Sequence, residues 1–128
     1  MYLRSGVDLV SLRRFEEALR RQGQRLLDRV FTKTEIEQSG GRVQSFAARF
    51  AAKEAVAKAI GCGIGEIGWR EIEVRVDEKG APHLYFYGSA AQKVDQQKWR
   101  HWSVSLSHTA EVALAMVVAW CDVPSDQD

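Results

Sequence analysis

Proline and cysteine each occur only twice in the 128 residues. With Pro82 and Pro124 as the only prolines and no low-complexity stretch, linker or repeat, nothing in the sequence marks a boundary between domains. Cys62 and Cys121 have neither metal-ligand spacing nor the density of a disulfide framework, so two free thiols are expected, as suits a reducing cytoplasm. No apolar run reaches the length of a membrane span, and no apolar stretch follows the charge in Met1-Tyr2-Leu3-Arg4, so neither a membrane helix nor a signal peptide is expected. An excess of charge is missing too. Eighteen Lys and Arg stand against 17 Asp and Glu, a formal net charge of +1, which speaks against a nucleic-acid binder. What is present is an apolar fraction of 45%, enough for one core in a chain of single-domain size. We therefore expect one domain over residues 1–121 and a polar tail over 122–128.

Apolar periodicity divides the chain. Gly6-Val7-Asp8-Leu9-Val10 alternates and predicts a strand that begins near Leu3. Ser11 is a candidate N-cap for a helix carrying Leu12, Phe15, Ala18 and Leu19, which Gly23 interrupts; a short piece with Leu26, Leu27 and Val30 follows. Thr32 with Glu35 three residues on is a capping-box pattern, and Gly40-Gly41 breaks the chain. The longest helix is predicted from about Gln44 to Ile60, with Phe46, Ala47, Phe50, Ala51, Ala55, Ala59 and Ile60 on its apolar face and Gly61 at its end. Ile72, Val74 and Val76 then alternate with charged residues, Asp77 to Gly80 forms a turn, and Leu84 and Phe86 continue a hairpin. Gly88-Ser89 caps a short helix to about Gln97, Trp102, Val104 and Leu106 alternate with serines, and Val112 to Trp120 reads as a central strand. The class is α+β, an antiparallel sheet packed against the long helix. The four tryptophans read as core or half-buried residues. The amino-terminal arginines do not alternate with aromatics, which argues against single-stranded nucleic acid as a ligand.

Several residues carry chemistry in this pattern. Phe46, Phe50, Glu54 and Lys58 share one helical stripe, so Glu54 faces the core unless it pairs with Lys58 or holds a metal. Asp8 lies either on a solvated strand face or beside Glu54; together the two carboxylates suit Mg²⁺, whose remaining ligands would be phosphate oxygens and water. Arg49, Lys53 and Lys58 lie on the same helix, and Lys53 is expected on its solvated side. Gly61-Cys62-Gly63 lets backbone amides approach a phosphate, although helices commonly end in glycine. His108, after Ser105-Leu106-Ser107, is either a phosphate or nucleotide contact or a turn residue without a role. No carboxylate stands behind it to make Ser107 a hydrolase nucleophile. Glu35 is read as a capping residue. Seven arginines crowd the first thirty residues (Arg4, Arg13, Arg14, Arg20, Arg21, Arg25 and Arg29), a local basic surface that attracts an acidic partner.

Taken in order, Gly6-Val7-Asp8 with Arg14, Phe31-Thr32 with Glu35, Arg49-Phe50-Ala51-Ala52-Lys53-Glu54-Ala55 with Lys58-Ala59 and Gly61, Ile72-Glu73-Val74, Gly80-Ala81-Pro82, Gly88, and Ser105-Leu106-Ser107-His108-Thr109 resemble the holo-acyl-carrier-protein synthases of the 4′-phosphopantetheinyl transferase superfamily. The likeness spans about residues 3 to 120. It implies that fold, and transfer of the 4′-phosphopantetheine of coenzyme A to a serine of an apo acyl carrier protein in fatty-acid biosynthesis. It implies Asp8 and Glu54 as Mg²⁺ ligands and Lys58 at the diphosphate, these three being the catalytic set. Arg49, His108, Thr109 and the backbone near Gly61 and Gly63, together with Lys58, would bind coenzyme A, and Arg14, Arg21 and Arg25 would meet the carrier. The serine's base stays open between Glu54 and a metal-bound water. The longer, two-repeat transferases carry a second acid two positions after the first; here that position is Val10. The short type is thus implied, a cytoplasmic homotrimer with active sites between subunits. A carrier-binding module without catalysis would have no need of the acid pair.

Overall fold

The computed structural model describes residues 1–122, so all of the expected polar tail except Asp122 lies outside the described residues. The first strand, β1, spans Tyr2–Ser11. Ser11 caps α1 (Leu12–Gln22), its hydroxyl accepting from the Arg14 amide, as the sequence predicts. Gly23, at φ 58°, separates α1 from α2 (Gln24–Val30). Thr32 and Glu35 form the predicted reciprocal capping box of α3 (Lys33–Ser39): the Glu35 amide donates to the Thr32 hydroxyl, and the Thr32 amide to the Glu35 carboxylate. The long helix α4 runs Val43–Ile60 and stops at Gly61, whose φ of 91° favours a residue without a side chain. Two 3₁₀ turns, Ile64–Glu66 and Trp69–Glu71, lead to the hairpin of β2 (Ile72–Val76) and β3 (Pro82–Phe86). Then come α5 (Gly88–Gln96), β4 (Trp99–His108) and β5 (Val112–Cys121). Tyr87, not Gly88 or Ser89, stands at the cap of α5. The Ser89 hydroxyl instead donates to Glu71, tying the helix start to the second 3₁₀ turn.

β5 is the central strand, flanked antiparallel by β1 and β4, while β2 and β3 form a separate two-stranded sheet. β5 is thus hydrogen-bonded along both edges. Its inward residues Ala113, Ala115, Val117, Ala119 and Cys121 are buried against α4, and their small size lets the helix lie close. Nearly the whole circumference of α4 is buried, because sheet, hairpin and the amino-terminal helices surround it. Beside its first turns Phe15, Leu26, Val30, Phe31 and Phe46 form a second cluster; the Phe31 and Phe46 ring centroids are 5.1 Å apart. Trp102, on the edge strand β4, donates its indole N–H to the Leu84 carbonyl and so links the two sheets.

The face assignments hold two surprises. Val7 and Leu9 are 52% and 61% exposed, so the apolar side of β1 points away from α4 and Asp8 points toward it. The register puts Leu3 opposite Trp120, Val7 opposite Met116 and Leu9 opposite Leu114, which makes one continuous exposed apolar face. Trp120 is thus 48% exposed, and Trp102 is exposed as well, against the expectation that all four tryptophans are core or half-buried. Glu73, on the nominally polar side of β2, is buried because the Thr32 hydroxyl, Arg75 and Tyr87 all donate to it. Burial pushes its pKa up, but the three donors outweigh that and hold it below the usual carboxylate range.

Gly6 is where β1 crosses α4. A Cβ there would run into the Ala55 carbonyl and lie 2.9 Å from the Ala59 nitrogen, both backbone atoms that no rotamer change can move. Gly6→Ala is accordingly expected to cost about 3 kcal/mol through forced separation of strand and helix. Urea unfolding at pH 7 checks this, and a loss under about 1 kcal/mol would contradict the tight crossing.

Candidate active site

Because Gly6 lets β1 lie on α4, Asp8 comes down beside the helix where Lys58 stands. The Lys58 ammonium donates to the Asp8 carboxylate at 3.2 Å and to the Val7 carbonyl at 3.0 Å. Lys58 remains largely exposed, whereas the Asp8 side chain is only 18% accessible. The alternative of an internal Glu54–Lys58 ion pair is not what the lysine adopts; it turns to the strand. Glu54 is half-buried with the Asp8 charge close by. Burial raises its pKa first and the Asp8 charge adds to the rise, while Lys58 opposes it. Two half-shielded carboxylates, the charge of Asp8 bearing on Glu54, with one cation beside them, form a site short of positive charge. Hard oxygen donors of this kind fit Mg²⁺, which commonly takes one or two protein carboxylates. Among the described residues no third His, Cys, Asp or Glu joins them.

Lys58 precedes the helix exit by three residues, so the glycines follow directly. The Gly61 amide is engaged, donating to the carbonyls of Ala57 and Lys58, and the Cys62 amide also donates to Ala57. The Gly63 amide has no acceptor among the described residues, and Gly63 is exposed. Gly61 therefore turns the chain, and of the two candidate glycines Gly63 has the amide free to receive an anion; the Ile64 and Gly65 amides also have no acceptor among the described residues.

Arg49 is 4% exposed and belongs to a different group. Its guanidinium donates to the Ser45 hydroxyl and, at 3.4 Å, to Gln38 Oε1, while its Nε has no partner. Burial lowers its pKa, the Glu35 charge counters that, and Arg42 adds to the lowering. Arg49 lines a crevice with Arg42, Ser45, Leu106, Ser107 and His108, and His108 also borders a second hollow with Leu12, Gln44 and Thr109. The Thr109 hydroxyl accepts from the amides of Glu111 and Val112, which fixes the turn that presents His108. So the structure gathers Arg49, His108 and Thr109 in one place and Asp8, Glu54 and Lys58 in another, with Gly61 and Gly63 following Lys58 at the helix exit. Arg49 and Lys58 are nine residues apart, about two and a half turns, and so leave α4 on opposite sides.

Lys53 corrects the sequence reading. Expected on the solvated side, it is 0% exposed. It pairs with the equally buried Glu35 at 2.8 Å and donates to the carbonyls of Trp69 and Ile72. Burial pushes its pKa down, and Glu35 is the main opposing influence. The signal in the sequence was positional: Lys53 stands seven residues after Phe46 and seven before Ile60, both core residues, two turns each way on one stripe. Glu35 does more than cap, since its second oxygen accepts from the Val74 amide. Closed in on every side, it has no access to a substrate.

On the amino-terminal helices Arg14, Arg21 and Arg25 are exposed and form no ion pair among the described residues, whereas Arg13 and Arg20 pair with Glu17 and Glu16.

Comparison with known proteins follows the same lines. The family model described as the 4′-phosphopantetheinyl transferase superfamily matches residues 4–117. A holo-[acyl-carrier-protein] synthase of Herpetosiphon aurantiacus is 47% identical over 121 residues, covering 89% of this chain and 95% of that relative. The crystal structure of the Helicobacter pylori holo-[acyl-carrier-protein] synthase in complex with coenzyme A superposes with a TM-score of 0.83 at 32% identity, covering 91% of this chain and 99% of that one. The ACPS–CoA complex of Chronobacterium ammoniagenes gives a TM-score of 0.86 at 28% identity over 96% of this chain and all of that one.

Proposed function

The chain belongs to the 4′-phosphopantetheinyl transferase superfamily and, within it, to the holo-acyl-carrier-protein synthases, and from that premise we propose how its residues divide the work. The reaction transfers the 4′-phosphopantetheine of coenzyme A to a serine of an apo acyl carrier protein and leaves adenosine 3′,5′-bisphosphate, in fatty-acid biosynthesis. The observation that carries the assignment of roles is the meeting of Asp8, from β1, with Glu54 and Lys58, from α4, around a half-shielded patch short of positive charge.

Asp8 and Glu54 would hold Mg²⁺, which supplies charge neutralisation at the diphosphate when bound. Lys58, exposed and already turned to Asp8, contributes positive charge to the same diphosphate, and the free Gly63 amide donates to one of its oxygens. The carrier's serine oxygen bonds to the phosphorus that bears pantetheine, and the bond from that phosphorus to the bridging oxygen breaks. The electron pair leaves on the 3′,5′-ADP. The serine's proton goes to a group in the same patch, the Glu54 carboxylate or a water beside it. Arg49 and His108, with Thr109 behind them, take the nucleotide end of coenzyme A; the unpartnered Arg49 Nε and the crevice lining support this.

Two features of one chain support a trimer with sites between subunits. The two groups of coenzyme A residues leave α4 on opposite sides, so a neighbour's copy of one completes the other. The outer face of the sheet, with Leu3, Val7, Leu9, Leu114, Met116 and Trp120 exposed, is also more apolar than a monomer's surface ordinarily is. Cytoplasmic work is supported by the two free thiols, and no helix among the described residues is long and apolar enough to cross a membrane.

Incubation of the protein with coenzyme A, Mg²⁺ and an apo acyl carrier protein should add one phosphopantetheine mass to the carrier. Asp8→Ala and Glu54→Ala should each abolish the addition, as should EDTA, with little change in melting temperature; full turnover by either variant would contradict the metal assignment. Arg14→Ala with Arg21→Ala removes two unpaired cations from one face of α1. It should raise KM for the carrier about tenfold, flatten the salt dependence of the rate and leave KM for coenzyme A within about twofold. Loss of coenzyme A affinity instead would move these arginines to the nucleotide site. Met116→Glu puts a charge in the middle of the apolar face; sedimentation should then report monomer and transfer should fall at least about a hundredfold, since the composite site comes apart. A fully active monomer would refute the shared site.

A further inference from the structure

No step of the reaction uses Lys53, yet all three of its ammonium protons are assigned: one to Glu35 at 2.8 Å, one to the Trp69 carbonyl at 3.0 Å and one to the Ile72 carbonyl. The last two acceptors have a particular place in the chain. The segment that leaves α4 at Gly61 returns to the core at the 3₁₀ turn Trp69–Glu71 and the first residue of β2, and those are the carbonyls Lys53 holds. The outgoing end is fixed by the helix itself, through the Gly61 and Cys62 amides on Ala57. The return end is fixed by α4 a second time. Trp69 stacks on Phe50, ring centroids 4.8 Å apart, and one turn further along Lys53 takes the two carbonyls. Between these anchorages Ile67 is buried, while Gly61, Gly63, Gly65, Glu66 and Gly68 are exposed. The course of the Gly63 amide is thus set by these two ends together with the 3₁₀ turn between them, in which the Glu66 amide donates to the Gly63 carbonyl.

We propose that Lys53 is a positioning residue for coenzyme A, clasping the Trp69 and Ile72 carbonyls to α4 so that the Gly61–Gly68 segment presents the Gly63 amide to the diphosphate. This rests on the proposed contact between Gly63 and coenzyme A. A donor with several protons on a flexible stem is what two carbonyls and a carboxylate around one point require. Glu35 balances the charge and, through its bonds to the Thr32 and Val74 amides, ties the clasp to α3 and β2.

The test removes the pair together, Glu35→Gln with Lys53→Met, so that no lone buried charge is left. In the folded double variant, checked by circular dichroism and melting, KM for coenzyme A should rise about tenfold, with the KM for apo carrier within about twofold, because a misplaced binding group costs positioning at one substrate only. The affinity for 3′,5′-ADP by calorimetry should fall in parallel. Lys53→Arg keeps the charge but not the point-like donor. It should shift coenzyme A KM in the same direction by about threefold, and it serves as the test if the double variant does not fold. Unchanged coenzyme A KM in whichever folded variant is measured, or an equal rise in both KM values, overturns the proposal. Gly63→Pro tests the underlying contact separately: it removes the amide proton at a position whose φ of −89° a proline ring accepts and whose amide has no acceptor among the described residues. If it raises coenzyme A KM while the Lys53 variants do not, the clasp fails and the contact stands; if it leaves coenzyme A KM and 3′,5′-ADP affinity unchanged, the contact itself fails.

Discussion

The crossing of β1 over α4 at Gly6 is the contact on which the rest depends. The backbone of the strand meets the backbone of the helix at Ala55 and Ala59 with no room for a side chain between them. Alanines on both elements extend the close approach: Ala51, Ala55 and Ala59 of the helix share one core cluster with Ala115 and Ala119 of β5. A separation even a methyl group wider would withdraw Asp8 from Lys58 and Glu54, since all three reach the same spot from elements fixed by that packing. The site's geometry is thus a consequence of small residues in the core, and the charged residues arrive where those allow.

The protein keeps its charges near α4 in two different states. Lys53 and Glu35 are fully enclosed, yet nearly every donor and acceptor they carry is answered, so the burial is tolerable and the pair acts as a fastening. Asp8 and Glu54 are only partly enclosed, with the charge of Asp8 bearing on Glu54 and a single exposed lysine between strand and helix. Lys53 and Glu54 are neighbours in the chain, but 100° of helical rotation takes one into the core and the other to the patch. Satisfied burial gives structure; the half-buried pair is what the proposed cation site rests on.

The three-stranded sheet shows a similar division. Its inner face is small and apolar against α4, while its outer face is apolar along β1 and β5 and serine-rich along β4. Nothing among the described residues covers the apolar part of that outer face. A monomer would ordinarily carry polar residues there, so the composition of β1 and β5 accords with the proposed burial against other copies of the chain.

The sequence by itself determined whatever is encoded within a turn or two of chain. The Ser11 cap, the Thr32–Glu35 box, the breaks at Gly23 and Gly61, the extent of α4 to within a residue and the hairpin of β2 and β3 were all legible, because each depends on hydrogen bonds or φ values among near neighbours. The ordered motifs likewise made Asp8, Glu54 and Lys58 candidates before any geometry was known. Only the tertiary structure decided which side of β1 faces inward: a period of two defines two faces and says nothing about which is covered, so Val7 and Leu9 went outward. It decided also that Lys53 is buried, since whether a charge can leave water depends on partners 16 to 19 residues away. And it decided that Arg49 and Lys58, on one helix, serve opposite sides of it, which no spacing can relate to a substrate until the surfaces around the helix are known.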